Sequence, residues 1–175
     1  MAALNPVRIQ PIEEMRLEMN KVVPALTVTV LVLLAAVGVA LFGSGSAQAA
    51  VQLSDVHMTV TKSPTCGCCV DYIDILRRRG VNVTVVDVED ISGPKLALGI
   101  PTSTWSCHTT EAAGYVIEGH VPLEAIEKLL TEQPDIAGIG LPGMPLGSPG
   151  MNGPKSGPFH VLAFNGEQLE LFGSY

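Results

Sequence analysis

The sequence has no cluster of lysine and arginine residues of the kind that nucleic-acid binding requires. Ten basic side chains stand against 17 acidic ones, which gives a net charge of −7 over 175 residues. The one local basic run, Arg77-Arg78-Arg79, falls at the end of a predicted helix, where cations suit the helix dipole. Because nucleic-acid sites need clustered cations to displace counterions, the composition argues against this class of partner.

Cysteine is scarce, with four copies in the chain. Cys66, Cys68 and Cys69 lie within four residues of one another, and Cys107 stands directly before His108. The part of the chain after residue 49 has about 125 residues, enough to bury an adequate core without disulfide bonds. Stability alone therefore does not explain the cysteine cluster.

Charge is absent from residues 22–42, a run of 21 residues that is long enough to span a membrane. Ala47-Gln48-Ala49 follows, with the small residues of a signal-peptidase site. We predict that residues 1–49 are an N-terminal export signal or a membrane anchor, and we favour cleavage because the small-residue site is well placed. Residues 50–175 then form a domain outside the cytoplasm, which meets the membrane only through an uncleaved anchor.

The pattern of residues 50–133 predicts an α/β domain. The order is strand, helix, strand, helix, strand, strand, helix, with strands at Val56–Thr61, Val81–Val88 and near Tyr115, and helices after Cys68, capped by Ser92, and at Leu123–Gln133. The second strand is apolar enough to lie inside a sheet. A crossover helix between the first two strands implies that they pair in parallel.

The C-terminal part has a different composition. Gly138–Pro158 holds seven glycines and five prolines in 21 residues, which predicts a loop without regular structure. Beyond it, two apolar segments flank Asn165-Gly166, which predicts a type I′ β-hairpin.

Cys66 and Cys69 form a C-x-x-C pair between a predicted strand and helix, a context typical of thioredoxin-like proteins. The helix N-terminus favours a thiolate, which makes these cysteines candidate catalytic residues or ligands. Downstream, Gly99-Ile100-Pro101-Thr102 resembles the segment of thioredoxin-like proteins in which a cis proline packs beside the cysteine pair. We therefore expect Pro101 to be cis.

Cys68 is the departure from an ordinary C-x-x-C site, because an oxidoreductase has no use for a third thiol inside the motif. Thiolates are soft ligands that suit Cu(I) or Zn(II), so the triplet favours a metal site. A purely structural disulfide framework remains an alternative, since four cysteines allow three pairings.

Further ligand candidates follow the same logic. His108 comes after the presumed cis proline, His120 ends a predicted strand, and Met144 and Met151 lie on the flexible loop, which offers a methionine no core to fill. Three residues inside predicted strands are better read as structural: His57, Met58 and His160.

Four blocks of the sequence resemble, in order, a family of small exported metal-binding proteins that includes the CopG-type copper-resistance proteins. They are SPTCGCCVDYIDILRRRGVNVTVVD, GIPTSTWSCHT, GYVIEGHVPLEAIEKLL and GLPGMPLGSPGM, and the resemblance covers roughly residues 56–172. The resemblance implies a thioredoxin-like mixed sheet with flanking helices. It also implies that copper is the bound metal, held as a multinuclear cluster, and that the protein has a Cu(I)/Cu(II) redox role. The thiolates carried over are Cys66, Cys68, Cys69 and Cys107. The same motifs contain His108, His120, Met144 and Met151.

One segment departs from the family pattern. Thr110-Glu111-Ala112-Ala113 stands where a more apolar strand is expected, which puts the strand register near His108 in question.

These observations favour a periplasmic copper-binding protein for copper resistance and homeostasis, with metal ions and other copper-handling proteins as its partners. Two alternatives stay open: a thiol–disulfide oxidoreductase that uses Cys66 and Cys69, and a structural zinc or disulfide module. Only the metal hypothesis uses Cys68, Met144 and Met151. Whether the protein turns over a substrate is left open by the sequence.

Overall fold

The computed structural model describes residues 51–175. The predicted export signal or anchor at residues 1–49 lies outside this range and stays a prediction. Among the described residues, no helix is both long enough and apolar enough to cross a membrane.

Three α-helices and seven strands make up the described part of the chain. In chain order they are β1 (His57–Lys62), α1 (Gly67–Arg78), β2 (Asn82–Asp87), α2 (Ser92–Ala97), β3 (His108–Ala112), β4 (Tyr115–Glu118), α3 (Leu123–Glu132), β5 (Gly138–Gly140), β6 (His160–Asn165) and β7 (Gln168–Ser174).

All seven strands form one mixed sheet in the order β2-β1-β3-β4-β5-β6-β7. The β1–β2 and β4–β5 pairs are parallel and the other pairs are antiparallel. The predicted mixed α/β sheet, the parallel strand–helix–strand unit and the C-terminal hairpin are therefore confirmed, and the arrangement fits a thioredoxin-like fold.

The prediction that β2 lies inside the sheet is wrong, because β2 is an edge strand. Its residues alternate between two environments: Val83 and Val85 pack against the core, whereas Thr84 and Val86 face solvent. A run of β-branched residues suits any strand, so it does not by itself distinguish a central strand from an edge strand.

Two local details also differ from the sequence prediction. The cap of α2 is Ile91 and not Ser92, which is the first helical residue and donates its N–H to Asp90 Oδ1 at 2.9 Å. The hairpin turn lies one residue later than predicted, since Asn165 pairs with Gln168 and the central residues are Gly166 and Glu167. Of these two, Gly166 alone has positive φ, at 57°, which fits a type II′ turn.

The short strand β5 falls in the glycine- and proline-rich segment that was predicted to lack regular structure, so that prediction is wrong for Gly138–Gly140. Glycine permits close packing here. A Cβ atom added at Gly138 would lie 2.7 Å from Phe164 Cζ and 2.9 Å from the carbonyl carbon of Val116. β5 can thus be hydrogen-bonded between β4 and β6 only without a side chain at this position.

The main core lies between the sheet and the inner faces of α1 and α3. The helical spacing of α3 predicts four inward residues, and all are buried: Leu123, Ile126, Leu129 and Leu130. Met58 is confirmed as a core residue. In α1 the spacing predicts that Val70, Ile73 and Leu76 face inward; Ile73 and Leu76 are buried, but Val70 is 44% exposed. The apolar stripe of α1 instead runs through Cys69, Tyr72, Ile73 and Leu76, which follow the i, i+3, i+4, i+7 spacing of one helical face.

We predict that Gly138→Ala lowers the free energy of unfolding by at least about 1–3 kcal/mol, because the new methyl group overpacks the interface between β4 and β6. Chemical denaturation followed by circular dichroism measures the change. Gly157→Ala is the matched control, since a Cβ there meets nothing within 4 Å. Equal stabilities for the two variants would contradict the close approach at β5.

Candidate metal centre

The loop after β1 and the first turn of α1 carry three of the four cysteines. Cys66 is the N-cap residue of α1, and Cys68 and Cys69 belong to its first turn. Cys69 is buried, whereas Cys66 and Cys68 are half-buried. Their sulfurs therefore lie where the unpaired N–H groups of the helix terminus favour negative charge.

Cys107 approaches this turn from the other side. It directly precedes β3, and its Sγ lies 3.5 Å from Cys69 Sγ and 3.8 Å from Cys68 Sγ. Cys68 Sγ is in turn 3.5 Å from Cys66 Sγ. The structure thus brings together the four thiol sulfurs that were singled out in the sequence, all within 4.8 Å of one another.

Cys66 and Cys69 are joined by a disulfide bond in this structure, and Cys68 and Cys107 are free. The C-x-x-C pair can therefore cycle between a disulfide and a dithiol. In the oxidised state two thiols remain available to a metal, and reduction makes all four available.

His120 is oriented by the glycine- and proline-rich loop. Its Nδ1 lies 2.7 Å from the carbonyl oxygen of Pro149, which can only accept a hydrogen bond, so Nδ1 carries the proton. Nε2 then presents its lone pair to Cys107 Sγ, 2.9 Å away. A histidine held by a carbonyl in this way is prepared for metal coordination through its other nitrogen.

His108 is fully buried beside Cys107, with Nδ1 3.4 Å from Cys107 Sγ. Its Nε2 has no hydrogen-bond partner although it is buried. Burial, reinforced by His120 and Lys95, holds the pKa of His108 well below its usual value, and burial also lowers the pKa of His120. Both rings are therefore neutral at neutral pH, the form that binds metals.

Burial and the neighbouring Cys68 raise the pKa of the Cys107 thiol to about 12. Without metal, Cys107 is thus protonated at neutral pH. A metal ion that binds its sulfur must displace this proton, because the ligand is the thiolate.

Tyr72 is a part of the centre that the sequence analysis missed. Its ring packs against His108 and His120, with centroids 4.6 Å and 5.6 Å away, and its hydroxyl donates to the carbonyl of Val121 at 3.1 Å. The sequence signal was its position three residues after Cys69, on the inner face of α1. The ring shields the histidines from solvent.

A buried polar network beneath Cys107 was also missed. Lys95 and Glu118 form an ion pair that is almost completely buried, and Glu118 also accepts hydrogen bonds from the N–H of Ser106 and the hydroxyl of Thr109. Burial lowers the pKa of Lys95, and the charge and hydrogen bond of Glu118 oppose that shift.

The loop that carries Met144 and Met151 flanks the centre at two points. Gly143 accepts a hydrogen bond from the Ser106 hydroxyl, and Gly150 packs so closely on α1 that an added Cβ would lie 2.7 Å from the carbonyl oxygen of Cys68. Met144 is 52% exposed, and Met151 is half-buried. Their role as ligands stays a prediction.

The expectation of a cis proline is wrong: no peptide bond among residues 51–175 is cis, so Pro101 is trans. Its carbonyl accepts hydrogen bonds from the N–H and the hydroxyl of Thr104, at 2.9 and 2.8 Å. Pro101 therefore begins a 3₁₀ turn, Thr102–Thr104, before the chain reaches Cys107. This 3₁₀ turn lies between Pro101 and β3. The two hydrogen bonds that the Pro101 carbonyl accepts are formed with the peptide bond in the trans form.

The register that the sequence left in question is regular. β3 continues to Ala112, and Thr109 pairs with Glu118 of β4. The remaining two histidines, His57 and His160, are exposed and hydrogen-bonded to Thr84 and Ser174, as expected of structural residues.

The donor atoms form two groups that share Cys107. The first contains the four cysteines, and the second contains Cys107, His108 and His120, with the donor atoms of each group within 4.8 Å of one another. Thiolates and neutral imidazoles suit soft or borderline ions such as Cu(I) and Zn(II).

The chain matches a family model and two solved structures. The family model described as "Protein of unknown function, DUF411" matches residues 104–151, which include Cys107, both buried histidines and both loop methionines. Among curated proteins, none matches the chain.

Two solved structures match, each titled as a copper resistance protein copG. Form 2 is 38% identical, with a TM-score of 0.64 over 69% of this chain and 98% of that chain. Form 1 is 39% identical, with a TM-score of 0.63 over 68% of this chain and 96% of that chain. Identity at this level over nearly the whole of the matched structures establishes common descent: the chain belongs to the CopG family of copper resistance proteins.

Proposed function

We propose that this protein is a periplasmic copper-binding protein that serves copper resistance and homeostasis by holding Cu(I) in its cysteine cluster. The observation that carries the proposal is the convergence of four cysteine sulfurs, that of Cys107 among them, next to two neutral histidines. The titles of the two matched structures supply copper as the metal.

The donor chemistry favours Cu(I) over Zn(II). Zn(II) in a structural site takes four ligands in a closed tetrahedral shell. Here more than four donors lie around one shared sulfur, and thiolates can bridge two soft ions. Such a set suits several Cu(I) ions better than one Zn(II).

A redox role follows from the same residues. The Cys66–Cys69 dithiol can reduce two Cu(II) to two Cu(I), losing two electrons and two protons as it forms the disulfide. Cys68, Cys107 and the histidines then remain to hold the Cu(I) product. Export to the periplasm is supported by the charge-free run at 22–42 and the small-residue site that follows it.

A second candidate function, thiol–disulfide exchange, is favoured by the disulfide at the N-terminus of α1. Cys66 is the more accessible of its two sulfurs and would receive an attacking thiolate. The two candidates differ in their need for Cys68, Cys107 and the loop methionines, which exchange does not use.

We predict that the reduced domain binds more than one Cu(I), and that the protein with the Cys66–Cys69 disulfide binds fewer ions because two thiolates are lost. Titration with Cu(I) against a competing chelator, with thiols counted before and after reduction, measures both. Cys68→Ser should lower the stoichiometry or the affinity. Absence of Cu(I) binding, or unchanged binding by Cys68→Ser, contradicts the proposal.

A second prediction concerns the loop. Met144→Leu/Met151→Leu keeps the apolar volume and removes only the thioethers, so Leu should be nearly neutral if the two residues are mere packing. If they ligate or shield copper, Cu(I) affinity or the resistance of bound Cu(I) to air oxidation falls, and any disulfide reductase activity is unchanged. If the double variant holds copper like the parent, Met144 and Met151 are not part of the metal site.

A further inference from the structure

The buried pair of Lys95 and Glu118 has no part in the function proposed so far. Lys95 is 1% exposed and Glu118 is 0% exposed. Moving two charges out of water costs free energy that their attraction often fails to recover, so a buried ion pair is poor evidence for stability. Its hydrogen bonds point to a different role.

Both carboxylate oxygens of Glu118 accept hydrogen bonds, and the donors lie on either side of Cys107 and His108 in the sequence. Oε1 accepts the N–H of Ser106 at 2.6 Å, and Oε2 accepts the hydroxyl of Thr109 at 2.7 Å. These two donors lie directly before and after the Cys107-His108 dipeptide. Lys95 holds the carboxylate in place, since its Nζ donates to Oε1 of Glu118 and, at 2.9 Å, to Thr109 Oγ1.

Gly119, the residue after Glu118, also contacts the segment that precedes Cys107. Gly119 has φ +79°, and a Cβ there would lie 2.5 Å from Ser106 Cβ, so the backbone directly after β4 packs closely against Ser106. His120 follows immediately. Glu118-Gly119-His120 therefore fixes the main chain before Cys107 and supplies the imidazole that faces Cys107 Sγ.

We propose that Glu118 is a positioning residue for the metal centre: through its hydrogen bond to the Ser106 N–H it sets the place of Cys107 Sγ between the other thiols and His120. Lys95 and Thr109 orient the carboxylate. The inference rests on the proposed function for its copper readout, but the position of Cys107 can also be measured in metal-free protein.

Two double variants separate this role from charge and from packing. Lys95→Met/Glu118→Gln and Lys95→Met/Glu118→Leu both remove the ion pair and keep similar volume. Only the glutamine retains an acceptor for the Ser106 N–H. Changes to residues that orient ligands typically cost about 10–100-fold in metal affinity.

We expect the leucine variant to lose Cu(I) affinity by about 10–100-fold, and the glutamine variant to stay within a few-fold of the parent. X-ray absorption of the copper-loaded proteins should show fewer nitrogen donors in the leucine variant alone. Asp87→Asn is the charge control, because it neutralises the partner of Lys62, the other lysine buried among residues 51–175, in an ion pair that shares no residue with the Glu118 network.

A second pair decides the matter if the leucine variant does not fold. Ser106→Pro removes the N–H, and Ser106→Ala keeps it and removes only the hydroxyl. Trp105 has φ −58° and ψ 141°, a conformation that accepts a following proline. The proline variant should repeat the loss, and the alanine variant should lose less, because it removes only the hydroxyl that donates to Gly143.

Two results overturn the inference: a folded leucine variant that binds copper like the parent, or equal losses in the leucine and glutamine variants. In metal-free protein, the alkylation rate of Cys107 and the ring resonances of His120 should change in the leucine variant and not in the glutamine variant. If the parent protein does not bind Cu(I), the proposed function is wrong. The measurements on metal-free protein still decide whether Glu118 positions Cys107.

Discussion

The candidate metal centre depends on the antiparallel pairing of β1 with β3. In this register Lys62, the last residue of β1, lies opposite His108, the first residue of β3. The chain leaving β1 and the chain entering β3 therefore meet at one end of the sheet. Cys66 follows four residues after Lys62 and Cys107 immediately precedes His108, so one pair of strands brings the thiols from two distant parts of the chain together.

Burial gives this meeting point its chemistry. A low-dielectric environment keeps His108 and His120 neutral and keeps the Cys107 thiol protonated until a metal replaces the proton. Tyr72 closes the centre on the side of the core, and the glycine- and proline-rich loop covers it through the carbonyl of Pro149. The loop is thus a fixed part of the site, although little of it is regular secondary structure.

Much of the fold followed from local patterns. The periodicity of α1 and α3, the crossover between β1 and β2, and the C-terminal hairpin were all predicted, because each depends on neighbours in sequence. The local errors are small, such as the one-residue shifts of the α2 cap and the hairpin turn, and two larger errors concern relations between segments. Whether β2 is central or at an edge depends on what pairs with its outer side, and whether Gly138–Gly140 forms a strand depends on the gap between β4 and β6, which no local pattern encodes.

The sequence by itself determined the candidate donor set: three cysteines at a helix N-terminus, a Cys-His pair and a second histidine, in residue types that suit a soft metal. It also carried the family resemblance, since motifs are a property of the order of residues. Tertiary structure alone decided which candidate donors meet, which histidine nitrogen faces Cys107, and that Tyr72 and the network of Glu118 and Lys95 lie next to them. These depend on burial and on hydrogen bonds between residues as far apart in sequence as 49 positions, as for Tyr72 and Val121, and such contacts exist only once the sheet has formed.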